Sequence, residues 1–195
     1  MINLVLPQSG LPAEVPLSGT VWARIIEADQ TWDGQLFQVN EPKGKANFVA
    51  DVVSTGDGLV VVVWRRQWTD DGASDVVGRA FGTDGSPFGA EFTVGPGSGP
   101  TPRAALLPNG DVLVAWEQNG QEKDVVLART DPTGAKAWEV QTVNTYTLDD
   151  QNAPDITVLP DGSIVVVWVS AGQGGQPATH IFASRFSQDG KRLYL

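Results

Sequence analysis

Three apolar runs, GLVVVVW, DVLVAW and SIVVVW, end on Trp64, Trp116 and Trp168, 52 residues apart both times. Side chains alternate along a strand, so Val60, Val62 and Trp64 share one face while Leu59, Val61 and Val63 share the other. Val112, Val114 and Trp116 repeat the first face, as do Ile164, Val166 and Trp168. Both faces are apolar and both must be covered. Such a strand belongs inside a stack of sheets.

A glycine-containing turn precedes each run (STGDG, LPNGD, LPDGS), and before it lies a short apolar strand, NFVADVV, PRAALL or PDITVL. Each pair predicts a hairpin. After a polar loop come DVVGRAF, DVVLART and HIFASRF, then a second glycine turn and a fourth strand. NLVLPQSG, TVWARII and QLFQVN make a worn first copy, with NLVLPQSG echoing ITVLPDG. Its would-be tryptophan strand, LPAEVPLS, holds two prolines, which lack a ladder donor and predict an edge or irregular strand. Arg24, Arg79, Arg129 and Arg185 are read at one place of the third strand. Each is expected to pair within its own unit rather than to converge on an anion.

A four-stranded unit with a period near 50 residues reads as a β-propeller blade, whose neighbours cover what it cannot bury alone. The predicted fold is all-β, a propeller-like array forming a single repeat domain over residues 1–195. Its blades fall at approximately 2–40, 48–94, 103–143 and 155–195, the first degenerate, with Trp64, Trp116 and Trp168 in the core. A β-sandwich of the same repeats is the alternative. The four units either close within one chain or pair with a second copy as a homo-oligomer; periodicity leaves both open.

A net charge of -10 and a pI near 4.4 argue against a nucleic-acid partner, which needs clustered lysine and arginine. The absence of cysteine excludes disulfides and thiolate metal sites. No apolar stretch is long enough for a membrane span, and the N-terminus lacks the basic start and apolar centre of a signal peptide.

The pattern VNT…P-x-I-x-x-LPDGSIVVVW (Val143 to Trp168), followed by IFASRFSQDG, resembles repeats of large bacterial secreted proteins of the hemolysin-type, calcium-binding (RTX) class. Those repeats share the strand ending in tryptophan, the A-x-R-F strand and the DG turn. The resemblance implies an extracellular or surface protein that is not an enzyme. The calcium-binding nonapeptide GGxGxDxxx of that class is absent here, so calcium does not carry over. The loop TDDGASD (Thr69 to Asp75) lacks alternating oxygen ligands and is read as solvated rather than as a weak calcium site. No cofactor and no metal site are expected.

No catalytic residue is predicted. The single histidine, His180, has no nucleophile paired with it, and no phosphate loop, HExxH or GxSxG is present. TDPTGAKAW and FSQDGKR miss essential positions of the sialidase Asp-box. For ligand binding the candidates are Trp32 and Trp68, with Arg66 and Asp70 beside the latter, since exposed aromatics among polar groups suit sugar or partner contact. Trp138 is expected to pack. The expected function is a non-catalytic binding or structural module of an extracellular or virion surface, adhering to glycan or protein. The alternatives are a purely architectural subunit of such an assembly, and a propeller glycoside hydrolase, for which carboxylates abound.

Overall fold

The computed structural model describes residues 2–3, 19–25, 36–44, 46–70, 72–120, 122–173 and 178–194. The first sheet holds β1 (Ile2–Asn3), β2 (Trp22–Ile25) and β3 (Leu36–Gln38). The second holds β4 (Ala46–Ser54), β5 (Val60–Gln67), β6 (Ser74–Phe81) and β7 (Phe92–Pro96). β8 (Ser98–Leu106), β9 (Val112–Asn119), β10 (Lys123–Thr130) and β11 (Gln141–Thr142) make the third. β12 (Gln151–Val158), β13 (Ile164–Ala171), β14 (Thr179–Phe186) and β15 (Arg192–Leu193) make the fourth. Each sheet is antiparallel and keeps its strands in chain order, and the described residues include no helix. This is the propeller-like all-β fold that the repeats predict.

The hairpin turns explain the chain order. Gly58, Gly110 and Gly162 occupy one place in the repeat, with φ of +88°, +91° and +80°. Only glycine takes that left-handed conformation without a steric cost. Their amides bond to the carbonyls of Thr55, Leu107 and Leu159 at 3.2, 2.9 and 2.8 Å, closing each turn.

Three hydrophobic clusters show how the blades stack. Val60, Val62, Trp64, Val77 and Phe81 of the second blade pack on Val21, Ala23 and Val39 of the first. Val112, Val114, Trp116, Val126 and Ala128 of the third pack on Val61, Val63, Val76, Ala80 and Val94 of the second. Ile164, Val166, Trp168 and Phe186 of the fourth pack on Leu113, Ala115, Val125, Leu127 and Val143 of the third. Every tryptophan face is thus covered by the preceding blade, and Trp64, Trp116 and Trp168 are 0%, 1% and 5% exposed. Each indole N–H is also satisfied, donating to Asn47 Oδ1 (2.9 Å), the Pro96 carbonyl (2.8 Å) and Gln151 Oε1 (3.0 Å) respectively. A buried donor left unpaired would cost about 1–3 kcal/mol.

Two local expectations change. Arg129 and Arg185 face Leu113 and Val165 across the ladder, but Arg79 faces Val62. Arg79 is therefore one residue out of step with the other two, and a one-residue slip puts a side chain on the opposite face of a sheet. Arg79 accordingly reaches back to the Val39 carbonyl of the preceding blade at 3.3 Å. Arg129 reaches forward to the Gln188 carbonyl of the following blade at 2.6 Å. In the first blade, Ile2–Asn3 pairs directly with β2, the neighbour that the tryptophan strand has in the other sheets, and not where its echo of ITVLPDG places it. LPAEVPLS lies outside the described residues.

Among the described residues, one face of the fourth blade is uncovered. Val63, Val76, Ala115 and Val125 are at most 1% exposed, whereas Val167 and Ile181, their counterparts in the fourth blade, are 36% and 79% exposed.

Candidate functional site

β4, β8 and β12 are the inner strands, and the amide of Ala104 on β8 donates to Asp51 Oδ2 on β4 at 2.9 Å. Each inner strand breaks its ladder register, between Phe48 and Ala50, between Ser98 and Arg103, and between Asn152 and Asp155. Bulges of this kind bend a strand and re-aim the side chains beside them. They lie at the end of the inner strands where the polar loops gather, opposite the tight glycine turns.

Glu117 is the focus of that end. It directly follows Trp116 on β9 and is 3% exposed. Oε1 accepts the Ala153 amide at 2.9 Å. Oε2 has no hydrogen-bond partner, although the Lys123 ammonium stands 3.6 Å away. Ala153 takes a left-handed φ of +49°, a conformation that non-glycine residues hold only when their surroundings impose it. A side chain at Gly99 would collide with the Glu117 carboxylate, so the glycine makes room for the acid. Around Lys123 gather Asp150, whose Oδ1 accepts the Lys123 amide at 3.1 Å, and Asn152, 3.5 Å from its ammonium. Arg65 lies over the Phe48 ring at 4.3 Å. Burial pushes its guanidinium below the usual range, and the charge of Glu117 opposes that shift. Nearby, Tyr146 donates to Asp149 at 2.9 Å, a bond that raises the phenol above its ordinary range.

Arg66, Trp68 and Asp70, singled out from sequence, sit at the same end of the second blade. Trp68 follows β5 and is 42% exposed, with the Arg66 guanidinium 4.1 Å from its ring. Arg66 itself is buried and committed to two carboxylates, Asp75 at 2.9 Å and Glu91 at 2.6 Å. Its charge is spent on the blade. Asp70 is exposed in the loop after Trp68, and Trp32 lies outside the described residues. Trp138 is half-buried and packs on the interface of the third and fourth blades. Among the described residues no group of three or more His, Cys, Asp or Glu could hold a metal ion.

Glu117 escaped the sequence reading because its place in the repeat carries Arg65 in one copy and Val169 in another, so no pattern marks it. Asp51, Arg103 and Asp155 were legible in principle, since they also recur 52 residues apart.

No protein-family model matches the chain, and no curated protein matches it. Solved structures share its fold. A thermostable family-43 glycoside hydrolase aligns with TM-score 0.52 and 13% identity, covering 89% of this chain and 71% of that one. An endo-1,4-beta-xylanase from Bacteroides thetaiotaomicron aligns with TM-score 0.51 and 12% identity, covering 90% and 71%. A PL25 ulvan lyase aligns with TM-score 0.53 and 10% identity, covering 89% and 48%. These neighbours are a glycoside hydrolase, a xylanase and a polysaccharide lyase, and they overturn the expectation of a non-catalytic surface module and of a chain that is not an enzyme. The physical reason is that carboxylates contributed by separate strands leave no local motif to read.

Proposed function

We propose that this chain is a carbohydrate-active propeller of the glycoside hydrolase class, working at the loop-bearing end of its inner strands. One observation carries the reading: Glu117 is a buried carboxylate with one oxygen fixed by a backbone amide and the other without a hydrogen-bond partner. A general acid or base needs that combination of fixed geometry and an available oxygen. Glycoside hydrolysis needs a second carboxylate across the scissile bond, a role assigned to Asp150, whose Oδ1 accepts the Lys123 amide. Trp68 offers the ring face away from Arg66 as a platform for a sugar. The fold neighbours support a carbohydrate as the class of substrate, since their names denote a glycoside hydrolase, a xylanase and a polysaccharide lyase.

The test is reducing-end release from a panel of arabinans, xylans and charged polysaccharides, alongside chromogenic glycosides. The expected result is turnover of at least one substrate, reduced by about 10²–10⁴-fold in Glu117→Gln with thermal unfolding little changed. Turnover that survives Glu117→Gln, or no turnover across the panel, would overturn the reading.

A further inference from the structure

We propose that the uncovered face of the fourth blade is a docking surface for one further blade of this repeat type, supplied by a partner from outside these 195 residues and not by a second copy. The inference is independent of the hydrolase reading. It rests on the two interfaces that precede this face in the stack. At both, the same set of positions is sealed by the tryptophan face of the next blade: Trp116 over Val63 and Val76, then Trp168 over Ala115 and Val125. The third member of the series presents Val167 and Ile181 to solvent. An apolar face of this kind, continuous with established interfaces, marks an interaction site.

Polar groups on the face match the same partner. Arg129 bonds Asp111 of its own blade and sends Nη1 forward to the Gln188 carbonyl in a glycine turn of the next. Arg185 stands in the same register and holds Asp161 and Ser163 of its own blade in the same manner. It is placed to grip the corresponding turn carbonyl of an incoming blade. On the inner edge, Asp51 bonds its own next amide, Val52, through Oδ1 and receives the neighbouring blade's Ala104 amide on Oδ2. Asp155 repeats the position and the first bond, to Ile156 at 3.0 Å, and is exposed. Its other oxygen is the acceptor for an inner-strand amide of the partner.

The occupant must present an indole-ended apolar strand, because that is what seals the two equivalent faces. The three such strands of this chain, ending in Trp64, Trp116 and Trp168, are already buried within it. A second copy therefore has none to offer.

Adding a second copy of residues 143–195, which carry a tryptophan face, after Leu195 of the 195-residue chain tests the inference. The expected result is a rise of several degrees in Tm over the natural chain. Ile181→Asp should leave the natural chain's Tm nearly unchanged, because the side chain is exposed, yet abolish the rise in the extended chain. Light scattering of the natural chain should give the monomer mass. No rise in Tm, or a rise that Ile181→Asp leaves intact, would overturn the docking surface. A natural-chain dimer that Ile181→Asp disperses would overturn the partner and make the occupant a second copy.

Discussion

Trp116 is the largest side chain in the seam between the second and third blades. Its ring is enclosed by two blades and its N–H is bonded to the Pro96 carbonyl. Trp116→Ala removes the ring and its bond to that carbonyl, so denaturant unfolding should show a loss of about 3–5 kcal/mol, with m unchanged. At the surface the residue-scale effects are electrostatic. Asp84, Asp161 and Asp189 sit below the ordinary carboxylate range, each held there first by a serine hydroxyl of its own turn: Ser86, Ser163 and Ser187. A carboxyl whose folded pKa is depressed contributes stability above its unfolded value, near 3.9, and loses it as the pH falls through the folded one. Tm should therefore fall as the pH drops below about 4. Combined asparagine substitution at the three positions should flatten that fall, because the amide accepts similar bonds without titrating.

Turns and buried ion pairs decide which elements tolerate change. Gly110 has open space where a Cβ would be, yet a φ of +91°. Gly110→Ala should cost about 1–2 kcal/mol from backbone strain alone, measured by chemical denaturation. Arg66 joins β5 to Asp75 on β6 and to Glu91 beyond it, with both partners largely out of water. Arg66→Ala leaves two buried carboxylates uncompensated and should cost about 3–5 kcal/mol, more than a ligand contact at the surface would. Legibility divides along the same line. The tryptophan runs and glycine turns were readable because a period of 52 residues repeats both residue type and role. Arg79 was misplaced because A-R and G-R pairs look alike whichever way the ladder register falls. Asn40 and Asn144 went unnoticed although each ends a fourth strand with V-N. Their side chains accept the amides of Val21 and Val125 at 2.7 and 2.9 Å, extending the ladder where the backbone leaves it. The site at Glu117 depends on which blades meet there, and periodicity cannot supply that.

Over the whole molecule, protection should follow coverage. Repeat stacks are stabilised by nearest-neighbour interfaces, so blades covered on both sides open last. Hydrogen exchange should be slowest in β5, β6, β9 and β10, and fastest in β14, whose Ile181 faces water. Equal protection across the blades would contradict a stack held by its seams. The direction in which the indoles point has a further consequence, for synthesis. Trp64, Trp116 and Trp168 each lean on the blade made just before them. As the chain leaves the ribosome, every new indole finds its shelter already standing, and the polypeptide can consolidate from the N-terminus onward without waiting for sequence still to come.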